Sequence, residues 1–372
     1  MVQAWVPDYR VPFHRGLRRA LDQRGIDFML VHGYPHGDAT SKQDGVTVDF
    51  AHVRDHHILR VASKELTWQP CYRLVQSADL VIGDQQSARL TNYALWFRYL
   101  AGRQRFALWG LGRNFYTDEA STLGEMIKRV MSRRVHWWFA YNDMSAGIVE
   151  QFGFPPERIT SVNNAIDTRE LTSLRDELDD ARLDAFRDRV GVGSGNVAVH
   201  LSSLHRQKRI PYMLEAAEHV RRMMPDFELI VVGSGPLTHL VEDAARRHPW
   251  IHYLGRLTGI EKVATVALAR LMFMPGNVGL AVLDSFALRT PLVSLADAQH
   301  GPEMSYLQSG VNGVLVPPGS NAETFASHVV DLLRDDARLS HLEAGAGAAA
   351  EKYTIEHMVN RFADGVQRAL AA

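Results

Sequence analysis

Residues 196–235 read NVAVHLSSLHRQKRIPYMLEAAEHVRRMMPDFELIVVGSG, and their order decides the fold. A β-rich run, NVAVHLSS (196–203), gives way to a helical pattern, RIPYMLEAAEHVRRMM (209–224). A continuous apolar run, FELIVVGSG (227–235), follows and ends on Gly-Ser-Gly. Downstream, LTHLVEDAARRH is amphipathic, and IHYLG, KVATVALA, LMFMPG, LAVLDSFALR, TPLVSLA and GVLVPPG continue the alternation. Short apolar strands separated by helices predict a parallel sheet covered on both faces. Ligands of such sheets bind at the carboxyl ends of the strands, near helix N-termini.

The upstream half repeats the pattern less cleanly. IDFMLVHG, SADLVIGDQ, RFALWGLGRN, VHWWFAYND and RITSVNNAID each read as a strand running into a polar or Gly-containing loop. Between the halves lies the charged stretch TRELTSLRDELDDARLDAFRDRVGVGSGN, whose Gly/Ser end marks the best domain boundary. The expectation is two α/β domains facing across a cleft. Residues 1–170 form an N-terminal domain, 171–195 a linker and 196–354 a second domain. Residues 355–372 form a helix crossing back to the first domain.

Composition narrows the function. The 372 residues are 46% hydrophobic and 22% charged, an ordinary globular profile, with a net charge of −1 that offers no global field for nucleic acid. Cys71 is the single cysteine, which excludes an internal disulfide framework and a thiolate metal cluster and fits a reducing cytoplasm. The start, MVQAWVPDYR, does not look like a signal peptide, and no apolar run approaches the roughly 20 residues of a membrane-spanning helix. The expected location is therefore cytoplasmic, in solution or on a membrane surface.

Several chemistries fail on spacing. VVGSGPLTHL supplies Gly233 and Gly235 after a strand but lacks the third glycine of a dinucleotide fingerprint. His52, His56 and His57 in AHVRDHH lack the glutamate of a zinc hydrolase and read as solvated loop histidines. There is no Asp-x-Asp, and GVGSGN lacks the spacing of a nucleophile elbow. In KRVMSRRVHWWFAYN (128–142), Lys128, Arg129, Arg133 and Arg134 beside Trp137 and Trp138 allow peripheral membrane contact. A solvated cationic helix leading into an inner strand explains the same residues with less.

One stretch carries more. PGNVGLAVLDSFA (275–287) is almost uniformly apolar, enters through two glycines and holds one carboxylate, Asp284. A carboxylate on an apolar helix needs a partner, either a side chain or a ligand.

Taken in order, SSLHRQKR, IVVGSGP, YLGRL, PGNVGLAVLDSFALRTPLV, HGPE and SGVNGVLVPPG resemble the donor domain of family-4 retaining glycosyltransferases of the group 1 type, which have the GT-B fold of two Rossmann-like domains. ERITSVNNAID (157–167) is similar to the segment closing the family's acceptor domain. The resemblance implies transfer of a sugar from a nucleotide-diphosphate donor, UDP- or GDP-linked, to a glycan, a lipid-linked or a small-molecule hydroxyl. It implies retained configuration, no nucleic-acid partner, and no cofactor or metal, in line with the missing Asp-x-Asp.

Residue by residue, Lys208 matches the family's phosphate-binding lysine, while Ser203 stands where an arginine is usual, with Arg206 and Arg209 close by. Gly276, Asn277, Val278, Gly279 and Leu280 match the diphosphate loop and the helix start behind it. Asp284 matches the second motif carboxylate, which holds the nucleotide ribose. Gly276 replaces the first carboxylate, near the transferred sugar. Tyr253, Leu254, Gly255 and Arg256 match the segment packing on the base, and His300 and Glu303 the loop facing the sugar, which with Lys208 makes them the catalytic residues the resemblance implies. In the first domain, Gly110, Leu111, Arg113 and Asn114 match an acceptor or phosphate loop in which Leu111 replaces a histidine, and Arg10 is placed to reach a phosphate.

The departures at Gly276, Ser203 and Leu111 define the rival expectation, a non-catalytic GT-B protein that stabilises an active transferase. A sugar-nucleotide epimerase or hydrolase on the same fold would need further cleft carboxylates, and the sequence offers none that can be assigned.

Overall fold

The computed structural model describes residues 1–36, 45–61, 64–112, 130–193 and 195–372. It divides into two compact units. The first comprises Met1–Asp167 together with Thr354–Ala372, and the second Thr168–Tyr353.

The second unit is built on a six-stranded parallel sheet. Its strands are β10 (Asn196–Leu201), β11 (Phe227–Val232), β12 (Ile251–Tyr253), β13 (Leu271–Phe273), β14 (Leu292–Leu295) and β15 (Gly313–Val316), in the spatial order β12-β11-β10-β13-β14-β15. β10 pairs in parallel with β11 from Asn196↔Phe227 to Leu201↔Val232, and on its other edge with β13. The strand order reverses between β10 and β13, so a crevice forms there at the carboxyl edge. The helix Ile210–Met223 turns Ile210, Met213, Ala216, Ala217 and Val220 inward, the spacing of one helical face. Pro211 sits in its first turn and Pro225 follows its end, two positions where proline suits the start and stop of a helix.

Residues 171–195, read as a linker, are instead part of this unit. The helices Arg169–Asp176 and Asp180–Val190 belong to it. Arg175 Nη1 donates to the Ala287 carbonyl at 2.9 Å, and Arg189 pairs with Glu261 at 2.7 Å. The charge of the stretch is that of a solvated face on two packed helices, which composition alone does not separate from a linker.

The first unit carries a seven-stranded parallel sheet with the order β3-β2-β1-β6-β7-β8-β9. These strands are β1 (Val2–Gln3), β2 (Val31–His32), β3 (His52–Val53), β6 (Leu80–Asp84), β7 (Arg105–Gly110), β8 (Trp137–Ala140) and β9 (Ile159–Ser161). An antiparallel hairpin, β4 (His57–Val61) and β5 (Lys64–Trp68), is inserted between β3 and β6. The C-terminal helix Ile355–Ala371 packs in this unit, where Phe362 stacks on Phe139 at 4.3 Å between ring centroids and meets Phe13 edge-on at 5.4 Å. Trp137 and Trp138 are buried in β8, so they present no interfacial surface to a membrane. Lys128 and Arg129 lie outside the described residues.

Candidate functional site

In the second unit the residues of interest gather on the loops that leave the carboxyl ends of the strands. The loop after β10 closes with a tight turn, Arg206–Lys208, and then Arg209 in the left-handed region at φ 52°. Lys208 reaches from it to the loop after β13, donating to the Asn277 carbonyl at 2.6 Å and to Asn277 Oδ1 at 3.3 Å. The contact spans the switch point between β10 and β13. Burial lowers the Lys208 pKa to about 8, so the ammonium is still largely charged at neutral pH. An ammonium has three donors, and these contacts occupy two of them.

The loop after β13 is held rigidly. Asn277 N–H donates to the Gln207 carbonyl at 2.9 Å, and its side-chain amide donates to the Gln299 carbonyl. Val278 N–H donates to His300 Nδ1 at 3.1 Å, and the Val278 carbonyl accepts from Gly301 N–H at 2.7 Å. His300 Nε2 lies 2.7 Å from the Leu295 carbonyl. A ring that accepts at Nδ1 must carry its proton on Nε2, which fixes the neutral tautomer. Burial depresses the His300 pKa, the Leu295 bond partly offsets this, and Lys208 and Arg209 push it further down.

This geometry bears on two of the residues singled out from the sequence. His300, taken as catalytic, has both nitrogens committed to backbone and acts as a strut between the loops after β13 and β14. At Gly276, matched to the diphosphate loop, the space of a side chain is filled from the protein side. A Cβ there would stand 2.6 Å from Lys208 Cα and collide with its carbonyl group. No carboxylate fits position 276 while Lys208 keeps its place. Gly279 is different, since nothing lies within 4 Å of where its Cβ would be. The helix behind it, Ala281–Ala287, is two turns long.

Asp284 has a protein partner. Its Oδ2 accepts from Lys262 Nζ at 2.9 Å, with side-chain exposures of 13% and 20%. Lys262 comes from the helix Gly259–Ala267 after β12, and the sequence reading missed it, because no local pattern links residues 262 and 284. The other Asp284 oxygen is left for a second donor.

Among the remaining predicted contacts, Ser203, Arg206 and Arg256 are exposed, and neither arginine has an ion pair among the described residues. Arg209 faces Asp297 at 3.6 Å. Gly255 is in the left-handed region at φ 66°, and its carbonyl accepts from Gly233 N–H at 2.7 Å. The glycines of the VVGSGP turn serve packing, since a Cβ on Gly233 would meet the Ser202 carbonyl carbon at 2.8 Å and one on Gly235 that of Leu204 at 2.8 Å. Glu303 is 5% exposed in the turn Pro302–Tyr306, below the loop surface it was expected to line.

In the first unit, Arg10 is 6% exposed rather than on the surface. Its guanidinium lies 5.3 Å from the Trp109 ring, and Nη1 donates to the Ala165 carbonyl at 3.4 Å. Gly110 ends β7, and its carbonyl accepts from Tyr141 N–H at 3.2 Å. Leu111 is half-buried beside Gly112, whose backbone N–H and carbonyl are both bound by the Gln85 side-chain amide at 2.9 Å. Arg113 and Asn114 lie outside the described residues.

Comparison with known proteins follows the same division. Residues 195–335 match the profile of the family described as Glycosyl transferases group 1. The alpha-D-kanosaminyltransferase of Streptomyces kanamyceticus is 24% identical over 184 residues, covering 47% of this chain and 46% of that protein. The GDP-mannose-dependent alpha-(1-6)-phosphatidylinositol monomannoside mannosyltransferase of Mycolicibacterium smegmatis is 27% identical over 185 residues, covering 46% of each. The chain thus spans about half the length of the curated relatives it matches. Over the whole chain the fold is similar to HepE of Anabaena in complex with UDP, with a TM-score of 0.71, 15% identity and 99% of both chains covered. A glycosyltransferase from Rickettsia africae has a TM-score of 0.70 at 11% identity, covering 99% of this chain and 98% of that one. The fold is GT-B, with two Rossmann-like α/β units, and the profile match on the second unit supports a glycosyltransferase.

Proposed function

We propose that the protein is a retaining glycosyltransferase that takes a UDP- or GDP-linked sugar on its second unit, at the carboxyl edge between β10 and β13. The observation that carries this reading is Lys208, a half-buried ammonium fixed to Asn277 across the switch point with one donor to spare. The relatives point to the same class of donor, since one names GDP-mannose and the HepE structure holds UDP.

On this reading the diphosphate lies against Lys208 and Gly279, where no Cβ stands in the way, with Arg206 and Arg256 exposed on neighbouring loops to meet its charge. Supplying that charge from side chains makes the transfer metal-independent. As the sugar–phosphate bond breaks, the leaving oxygen gains negative charge, and Lys208 stabilises it. The same oxygen takes the proton of the acceptor hydroxyl attacking from its side, which retains the anomeric configuration. The acceptor is a glycan, a lipid-linked saccharide or a small hydroxyl compound, and the protein works in the cytoplasm or against its membrane face.

The test is a thermal-shift and calorimetric screen of UDP-, GDP- and free-sugar ligands, followed by NMR of the anomeric proton in any product. Stabilisation by one nucleotide sugar and transfer with retention support the reading. No stabilisation by any nucleotide or nucleotide sugar would sink it. A second reading, a non-catalytic GT-B protein that binds the nucleotide only, is favoured by Gly276, which cannot carry a carboxylate, and by the fully committed His300 ring. Tight binding with neither transfer nor donor hydrolysis would select it.

A further inference from the structure

The sequence pattern of AHVRDHH reads as solvated loop, but the structure separates its histidines. His52 and His57 are exposed, whereas His56 is only partly so, and both of its ring nitrogens are buried with no hydrogen-bond partner among the described residues. An imidazole with two buried, unsatisfied nitrogens is costly and calls for a ligand. Asp55 precedes it, and His36, from the loop after β2, closes over it. His36 Nε2 lies 2.9 Å from Asp55 Oδ1, and the His36 and His56 ring centroids are 5.4 Å apart. One donor atom from each of His36, Asp55 and His56 lies within 4.8 Å of the others.

The surroundings hold this cluster in place. Asp55 Oδ1 also accepts the His56 backbone N–H at 2.8 Å, and the Arg54 carbonyl is bound by Gln69 Nε2 at 3.0 Å. Gly33 leaves room for the ring, because a Cβ there would stand 2.8 Å from His56 Cε1 and 3.0 Å from the Arg54 carbonyl oxygen. The charge of Arg89 is met by Asp84, and its second nitrogen is bound by Gln69 at 2.6 Å, which limits its repulsion of a cation.

We infer that His36, Asp55 and His56 form a binding site for a divalent transition ion, of the kind zinc represents, at the carboxyl ends of β2 and β3 in the first unit. Two imidazoles and a carboxylate suit such an ion in nature and number, with a tetrahedral site leaving one position for water. Nitrogen ligands at about 2.0–2.1 Å from the metal place neighbouring donors roughly 3.4 Å apart. Rotation of the His36 ring, the outermost of the three, supplies the remaining closure. The ion takes the place between His36 Nε2 and Asp55 Oδ1, with the ring proton moving to Nδ1. It ties the loops after β2 and β3 together and satisfies one of the two His56 ring nitrogens. The site is separate from the donor-binding reading, and its readout involves no sugar.

The test titrates zinc into the full chain, previously stripped with a chelator, against a chromophoric indicator, with cobalt as a spectroscopic substitute. The expected result is one equivalent bound and a rise in melting temperature. His36→Ala and His56→Ala should each weaken binding by more than the roughly 10–100-fold that loss of an outer partner costs. His57→Ala, at an exposed neighbour, should leave it unchanged. Should His56→Ala disturb the metal-free fold, His36→Ala and the loss of its cobalt spectrum decide the matter. Binding as tight in the His36→Ala/His56→Ala double variant as in the parent would overturn the site, as would equal loss in His57→Ala.

Discussion

Lys208 and Asn277 are joined across the switch point of the second sheet, ammonium to carbonyl at 2.6 Å, so a cation from one loop is held by the backbone of another. Burial has lowered the Lys208 pKa to about 8 from an ordinary 10.5. Affinity for an anionic donor should therefore fall as pH rises through about 8, while the folding stability contributed by this residue rises between about 8 and 10.5, where the unfolded chain holds the extra proton. Lys208→Ala should remove the pH dependence of binding. It should also weaken the nucleotide by about 10–100-fold, the value of one charged hydrogen bond. Calorimetry between pH 7 and 9.5 measures both effects.

Gly276 and Gly279 look equivalent in the sequence and should behave oppositely. Gly276→Ala places a methyl group against the Lys208 backbone. Overpacking against immobile atoms should cost about 1–3 kcal/mol or more and displace Lys208. Gly279→Ala meets open space, so its melting temperature should stay near that of the parent. Donor affinity should fall in both, through folding and Lys208 position in the first and through blocked approach in the second. Melting curves with and without UDP separate the cases.

His300 should contribute structure rather than proton transfer. With Nδ1 accepting from Val278 and Nε2 donating to Leu295, His300→Ala leaves a buried donor and acceptor unmet, at about 1–3 kcal/mol each. Its depressed pKa means that its share of stability is present above about pH 6.5 and is lost as pH falls toward the folded-state value. His200, buried with a pKa of about 4, acts in the same direction between about pH 6.5 and 4. Acid titration of the melting temperature should be shallower in His300→Gln and His200→Gln. A rate profile in which His300→Gln removes a single ionisation while leaving stability untouched would contradict the strut.

The alternation of apolar runs and helices was enough to read the parallel sheets, because strands buried on both faces leave uninterrupted hydrophobic stretches. β12, β13 and β15 were each visible in three or four residues bounded by turns. The hairpin His57–Val61 with Lys64–Trp68 was not, since HILRV and KELTW carry mixed polarity on a two-stranded ribbon that buries little. At the site, Lys208 and the loop 275–280 could be read from motif order. The Lys262–Asp284 pair and the two His300 bonds could not, because they join elements whose approach only the folded sheet sets. Gly276 was visible as a departure, but its cause, the backbone of Lys208, became visible only in three dimensions.

Phe362 tests the packing of the C-terminal helix. It is fully buried in the first unit, stacked on Phe139 and in edge contact with Phe13 and Trp109. Phe362→Ala should destabilise that unit by about 3–5 kcal/mol. Urea unfolding should then show a transition shifted to lower denaturant, while UDP-dependent stabilisation of the second unit persists. A shift below about 1 kcal/mol, on the scale of an ordinary surface change, would mean that the helix contributes little to this core.

Asp284 has two candidate roles that a paired substitution distinguishes. As the structural partner of Lys262, its loss strands a mostly buried ammonium, and Asp284→Ala should lower the melting temperature. Removing both charges in Asp284→Ala/Lys262→Met should recover much of that loss, because the stranded charge is gone. If the free Asp284 oxygen also accepts from the nucleotide ribose, the double variant should remain weak for UDP despite its restored stability. Pyrophosphate, which has no ribose, should bind the double variant and the parent alike. Recovery of both stability and UDP affinity would make Asp284 a structural carboxylate alone, whereas a selective loss of UDP against pyrophosphate assigns it to the ribose.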